Sequence, residues 1–267
     1  MDFDFNLIGV PFGMRPGLRR LADGAAQLTP LAPHSRLAQE KRAVLEAGRS
    51  RHVLAGFDAG PALAAVAAHA ATVAGCRFAA DAPPELAFEE DLAILDGATG
   101  TLPWLCVCVP SHWAPEEKLG LDFAALHAPV ADNAALVAAS RQLVALATGG
   151  DRWERHVWTV SPSGRFDQHP ARHPLPAWPS CGADPERFAA QCWLRAERQT
   201  FFPVGRGTRQ AVFTIRVMLQ PLRDAVRAPW QAQRLHDALA SMSPAVLAYK
   251  NLALAREPLL RWLATCA

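Results

Sequence analysis

Residues 192–219, CWLRAERQTFFPVGRGTRQAVFTIRVML, decide how the rest of the chain is interpreted. Two largely apolar runs flank a segment that contains Pro203, Gly205 and Gly207, so the stretch predicts a β-hairpin. In the second predicted strand every second residue from 211 to 219 is apolar. That alternation is typical of a strand with one buried face.

The first predicted strand is unusual because each of its faces mixes charged and large apolar side chains. Arg195 and Glu197 fall on one face, which carries an aromatic residue at each end. Arg198 falls on the other face, together with Phe202. Charges among aromatic groups are costly to desolvate unless they are paired or bound to a ligand. Two interpretations stay open here: an Arg–Glu ladder that stabilises the sheet, and a binding surface.

The composition excludes several functional classes. The chain has 267 residues, is 51% hydrophobic and carries a net charge of +2 that is not clustered. It can bury a substantial core, and neither disorder nor nucleic-acid binding is favoured. No run reaches the length of a membrane-spanning helix, and the acidic N-terminus lacks the basic region of a signal peptide. We therefore expect a cytoplasmic protein with neither a nucleic-acid nor a membrane partner.

Common motifs for metal clusters, nucleotides and hydrolytic chemistry do not occur. The six cysteines form no CxxC pair, so reduced thiols are expected rather than disulfides, zinc sites or iron–sulfur clusters. The sequence also contains no Walker loop, GxGxxG, HExxH or GxSxG.

Hydrophobic periodicity predicts one α+β domain over residues 1–267, with an extended N-terminal segment and C-terminal helices. We expect an antiparallel sheet of about five strands: the hairpin and three more at 89–95, 102–109 and 155–161. The predicted helices cover 35–48, 60–75, 133–147, 229–240 and 244–265, with a short one after a capping Ser111. Residues 161–185 form a long loop of a kind that often carries function.

Nine histidines are the main candidates for a metal ligand. His127 precedes Pro129, which places it at or near the end of an element, where one ring nitrogen can be held by the backbone and the other can face a pocket. The alternative is a half-buried histidine of the core. His112 is a weaker candidate in a predicted turn, and His156 shares a predicted strand face with Trp158.

Four cations stand out as partners for anionic groups such as carboxylates. They are Lys118, Arg195, Arg198 and Arg216. For Lys118 the alternative is a solvated helix residue.

Several segments together resemble one protein family. They are FEEDLAIL (88–95), PSHWAPEEKLGLDFAALHAPV (110–130), RHVWTV (155–160), LRAERQTFFPV (194–204), AVFTIRVMLQPL (211–222) and LAYKN (247–251). In this order they resemble the α subunit of haem-dependent oxidative N-demethylase and its relatives, over roughly residues 16–263.

The resemblance implies a haem b protein with a PAS-like sheet. It also implies an iron-dependent monooxygenase, an oxidoreductase that removes an alkyl group from a small amine by N-demethylation with dioxygen. Electrons would come from separate reductase and ferredoxin-type subunits that carry FMN and a 2Fe-2S cluster. Two alternatives remain: a non-catalytic haem-binding PAS-type sensor or carrier, and an interaction subunit without cofactor.

By the same resemblance, His127 of the HAPV segment is the axial iron ligand and Glu197 is the catalytic carboxylate that holds a protonated amine. The remaining haem-binding residues would be Trp113, Lys118, Arg195, Arg198 and Arg216, with the arginines meeting either the propionates or Glu197. The chain departs from better-known members in its single tyrosine, Tyr249, so a mechanism with a pocket tyrosine is not expected.

Overall fold

The computed structural model describes residues 3–73, 75–76, 78–79, 81–180, 184–205 and 207–267, so Cys181 lies outside the described residues. The architecture is α+β, as predicted, with one antiparallel sheet. Its strands are Arg19–Arg20 (β1), Arg51–Val53 (β2), Asp91–Asp96 (β3), Trp104–Cys106 (β4), Trp153–Ser161 (β5), Trp193–Pro203 (β6) and Gln210–Pro221 (β7).

Ten α-helices lie within the described ranges. They are Arg36–Glu46 (α1), Gly60–Ala70 (α2), Phe123–His127 (α3), Ala134–Ala138 (α4), Ser140–Ala147 (α5), Pro185–Ala189 (α6), Leu222–Ala225 (α7), Pro229–Ala240 (α8), Pro244–Tyr249 (α9) and Arg256–Cys266 (α10). Short 3-10 turns occur at Phe5–Leu7, Pro84–Leu86 and Pro115–Glu117. None of the helices described combines the length and the apolar composition that crossing a bilayer requires.

The predicted hairpin is confirmed and lies at the centre of the sheet. The strand order is β1-β5-β6-β7-β3-β4-β2, and β6 pairs with β7 from Trp193 opposite Pro221 to Pro203 opposite Ala211. Gly205 and Gly207, in the connection, have φ of 75° and 77°, a conformation that glycine adopts without a steric penalty. The chain therefore reverses direction between β6 and β7, at the turn residues that predict the hairpin.

The two faces of the sheet are covered by different helices. Residues with even numbers in β5, β6 and β7, such as Leu194 and Met218, pack with α8 and α10, while those in β3 and β4 pack with α2. Residues with odd numbers, such as Ala93 and Phe213, pack with α3 and α5. Because side chains alternate along a strand, the register fixes which side chains face the second set of helices.

The structure corrects several local predictions. The helix expected at 133–147 is interrupted at Ala139, which divides it into α4 and α5, and the helix expected at 244–265 is interrupted near Asn251, where φ is 55°. Strands β1 and β2 were not predicted because two or three residues cannot establish an alternation. Ser111 does not cap a helix, because Ala114 precedes the 3-10 turn instead.

Candidate functional site

A cavity of about 680 Å³ lies between the odd-numbered face of the sheet and the helices α3, α4 and α5. The volume falls within the roughly 300–1,000 Å³ that is typical of small-molecule sites. The loop after β5 contributes residues from Pro162 to Trp178, so the long loop predicted from the sequence forms part of the wall. Pockets of this size with mixed walls are the usual place for a ligand or a reaction.

One wall of the cavity is apolar and partly aromatic. Phe201 and Phe213, which face each other across β6 and β7, stack with centroids 4.6 Å apart and an angle of 8°. Trp113 packs with the same hydrophobic cluster. Further apolar lining residues from the sheet and helices are Ala93, Leu95, Leu105, Leu126, Leu136 and Leu143. A flat apolar ligand would bury its surface against this wall.

His127 is half-buried and is the last residue of α3, where it lines the cavity. Its Nδ1 lies 2.8 Å from the carbonyl oxygen of Phe123, and the two rings stack with centroids 4.1 Å apart. Burial lowers the pKa of His127, and the nearby Arg155 and Lys118 add to that effect. A neutral imidazole whose Nδ1–H donates to a carbonyl keeps the lone pair of Nε2 for a ligand.

Glu197 forms the centre of the polar end of the cavity and is only 8% exposed. The Ser111 hydroxyl donates to its Oε1, and the Gln199 amide donates to its Oε2 at 2.7 Å. A carboxylate oxygen can accept more than one hydrogen bond, so each oxygen retains the capacity to accept another donor. The carboxylate is thus oriented by the protein without being saturated.

Arg195 also lines the cavity, but each of its three guanidinium nitrogens already donates a hydrogen bond to the protein. Nε donates to the Ser111 hydroxyl at 2.7 Å, and the two Nη atoms donate to the carbonyl oxygens of Arg165 and Val109, both at 3.1 Å. Burial lowers the pKa of Arg195 to about 10. Arg195 therefore orients Ser111, which in turn orients Glu197.

Three further polar residues at this end were not predicted as site residues: Arg155, Tyr249 and Lys250. Arg155 lies on β5 opposite Gln199, and its Nε is buried without a hydrogen-bond partner. Lys250 Nζ donates to the Trp158 carbonyl at 2.9 Å. Tyr249, the single tyrosine of the sequence, thus lines the cavity.

The protonation equilibria of Tyr249 and Lys250 are shifted by their surroundings. The pKa of Lys250 is lowered to about 8, mainly by burial; the negative charge of Glu197 opposes this shift and the positive charge of Arg155 contributes to it. Burial raises the pKa of Tyr249, with a further contribution from Glu197. Lys250 can therefore exchange a proton close to neutral pH, whereas the Tyr249 phenol stays protonated there.

The other predicted residues are divided between the cavity and the rest of the sheet. Lys118 lines the cavity, and its ammonium group forms no hydrogen bond or ion pair with the residues that the structure describes. Arg198 and Arg216 are not among the lining residues. Arg198 pairs with Glu154 at 2.9 Å, and Arg216 pairs with Glu89 at 2.6 Å.

Of the two other histidines considered in the sequence, one lies at the cavity and the other does not. His112 is exposed at the cavity with φ of 62°, whereas His156 is not a lining residue and faces away from Arg155 along β5. Alternation along β5 places Arg155 on the same face as Val157, but its position opposite Gln199, which brings it to the cavity, follows only from the strand pairing. Tyr249 and Lys250 carried no such signal, because they end a short helix.

No group of three or more His, Cys, Asp or Glu side chains suited to hold a metal ion occurs among the described residues. A haem iron differs from a bare ion in this respect, because its four equatorial ligands come from the porphyrin and the protein supplies an axial one.

Comparison with known proteins identifies the family. The family described as haem-dependent oxidative N-demethylase, alpha subunit-like, has a sequence model that matches residues 85–260, which is more than half of the chain. The matched region contains the strands β3 to β7 and the helices α3 to α5, and so most of the cavity. No curated protein matches the chain significantly. The chain thus belongs to the haem-dependent oxidative N-demethylase, alpha subunit-like family.

Proposed function

We propose that this protein binds haem b in the cavity and oxidatively dealkylates a small alkylamine, with electrons from separate subunits that carry FMN and a 2Fe-2S cluster. One observation carries the proposal: the same cavity contains an imidazole that is free to bind a metal and a buried carboxylate that can accept a cation. His127 supplies the first and Glu197 the second. The family described above supports the same chemistry.

The residues present fit a haem. Its porphyrin requires an apolar wall, which the stacked Phe201 and Phe213 and the indole of Trp113 provide. The propionates require cations, and Lys118 has no other charged partner within the described residues. The iron requires a protein ligand, and His127, whose Nδ1–H donates to a carbonyl, would supply it through Nε2. When bound, the haem supplies the iron chemistry that activates dioxygen.

Glu197 would hold the substrate. Most alkylamines are protonated near neutral pH, and an ammonium N–H donates strongly to a carboxylate in a site from which water is largely excluded. Ser111 and Gln199 fix the orientation of this carboxylate, so the bound nitrogen has a defined position. Lys250, whose pKa is about 8, could exchange the proton that the amine must lose before its neighbouring carbon is oxidised.

We further propose that residues 1–267 form a single PAS-like domain and that the protein acts in the cytoplasm. The antiparallel sheet with helices on both faces supports the PAS-like assignment. The interleaved strand order, in which β1 and β2 occupy opposite edges, supports a single folding unit.

The test is the ultraviolet–visible spectrum of the purified protein after incubation with hemin, before and after reduction with dithionite and addition of carbon monoxide. We expect a Soret band that shifts with carbon monoxide, and we expect His127→Ala to lose haem or change the spectrum sharply. His156→Ala, which removes an imidazole outside the cavity, is the matched control. A wild-type protein without any Soret band would refute the proposal.

A second measurement separates an enzyme from a haem-binding sensor. Turnover of an amine with a supplied reductant and dioxygen is expected of an enzyme, with formation of an aldehyde from the removed alkyl group. Reversible gas binding without consumption of amine would instead support the sensor.

A further inference from the structure

Arg155 lines the polar end of the cavity, and its charge has no evident structural use within the described part of the chain. None of its guanidinium nitrogens forms a hydrogen bond or an ion pair with the residues described, and its Nε is fully buried. Every other arginine of β5 and β6 has such partners: Arg195 donates to Ser111 and to two carbonyl groups, and Arg198 pairs with Glu154. Arg155 therefore differs from its neighbours on the same two strands.

A guanidinium whose Nε is buried without a partner costs folding free energy, because the desolvation of that nitrogen is not offset by pairing. Burial lowers the pKa of Arg155, while the nearby Glu197 and Tyr249 raise it. The charge of Glu197 acts on Arg155 electrostatically, but no ion pair joins the two side chains among the described residues. A buried polar atom without a partner requires an explanation, and a ligand that completes the pairing is one when the atom belongs to a side chain that lines a cavity.

We propose that Arg155 binds a carboxylate group inside the cavity. Arginine presents parallel N–H donors that match the two oxygens of a carboxylate. The proposal rests on the proposed function for the identity of the ligand, and two ligands could bring the carboxylate: an amine substrate that is also an acid, or a haem propionate.

The neighbours of Arg155 favour the substrate. Arg155 lies opposite Gln199 on the adjacent strand, and Gln199 donates to Glu197, so a cation and an anion lie beside each other on one face. Diagonal neighbours on paired strands are within reach of long side chains. An N-alkylated amino acid carries an ammonium and a carboxylate on one carbon, and it would pair its ammonium with Glu197 and its carboxylate with Arg155. Lys250 adds a second cation at the same end.

The experiment compares wild type with Arg155→Gln and Arg155→Lys. The matched control is Arg20→Gln, which removes an arginine at the edge of the sheet that pairs with Asp151 at 2.7 Å. In the first arm, calorimetry measures binding of N-methylglycine and of N-methylglycine amide, with and without haem. We expect wild type to prefer the acid, Arg155→Gln to bind it about 10- to 100-fold more weakly, and Arg155→Lys to fall between them.

The second arm measures the rate at which haem and its dimethyl ester leave the protein. If wild type releases haem more slowly than the dimethyl ester, and Arg155→Gln abolishes this difference, Arg155 is a carboxylate receptor with the propionate as its ligand. The proposal is wrong if Arg155→Gln changes neither the preference for N-methylglycine over its amide nor the difference in release rate between haem and its dimethyl ester. The first arm can be run without haem, so failure of the proposed function and failure of this inference give different results.

Discussion

Replacing Glu197 with glutamine removes one negative charge from the cavity and changes the shape of the side chain very little. The Ser111 hydroxyl can still donate to the remaining carbonyl oxygen. The Gln199 amide, which now donates to Oε2 at 2.7 Å, would face an NH₂ group and must rotate to present its own oxygen. We therefore expect the local structure to persist with a rearranged hydrogen bond.

The expected loss of amine affinity follows from the difference between a charged and a neutral acceptor. A hydrogen bond to a charged group contributes about 1.5–3 kcal/mol, and a neutral one about 0.5–1.5 kcal/mol. Because Glu197 is 8% exposed, solvent screens little of this difference. A net loss of about 1–2 kcal/mol corresponds to roughly 5- to 30-fold weaker amine binding.

The assay is a spectral titration of the haem-loaded protein with a small secondary amine, with haem content measured separately. Glu197→Gln should retain haem and show a weaker amine-induced shift, and Glu154→Gln serves as the control. Glu154 is a buried carboxylate of the neighbouring strand that pairs with Arg19 and Arg198 outside the cavity. An unchanged amine affinity in Glu197→Gln would refute the assignment of Glu197 to the substrate.

Three further substitutions test the fold and its electrostatics. Gly164→Ala should lower the free energy of unfolding by about 1–3 kcal/mol in urea denaturation, because a Cβ would lie 2.5 Å from the Trp193 ring. Lys41→Met should cost about 3–5 kcal/mol by the same assay, because it leaves the buried Asp91 carboxylate, now 3.1 Å from Nζ, without its cation. Lys250 has a pKa of about 8, against an ordinary 10.5, so the unfolded chain binds its proton more tightly. Wild type should therefore gain stability relative to Lys250→Met as pH rises between those values, and a constant difference would contradict the shift.

Strands could be predicted from the sequence where the alternation of apolar residues covers many positions. The alternation from residue 211 to 219 identified β7 and its buried face, and the turn glycines fixed the hairpin. Helix α8 begins and ends where its pattern predicts, at Pro229 and Ala240. The interruption at Ala139 carried no comparable signal, because alanine favours helix, whereas Asn251 gave only a weak one, as asparagine adopts positive φ more readily than most residues.

The site was predictable only in part, for a related physical reason. Local patterns place His127 at the end of a helix and Glu197 on the hairpin, and the cavity brings both together. Which arginines face the cavity depends on the pairing of distant strands, which one strand's pattern does not reveal. Arg198 and Arg216 accordingly pair elsewhere, and Arg155 lines the cavity instead.

The order of the strands determines the stage of protein synthesis at which the cavity can form. The middle of the sheet is made by β6 and β7, which leave the ribosome long after β3 and β4, the strands that lie beside β7. Contacts between residues so distant in sequence form slowly, and partly made sheets expose unpaired edges. The cavity, with walls from Met14 to Asn251, cannot exist on a nascent chain that lacks β6. A ligand can therefore occupy the complete site only after synthesis has passed Asn251.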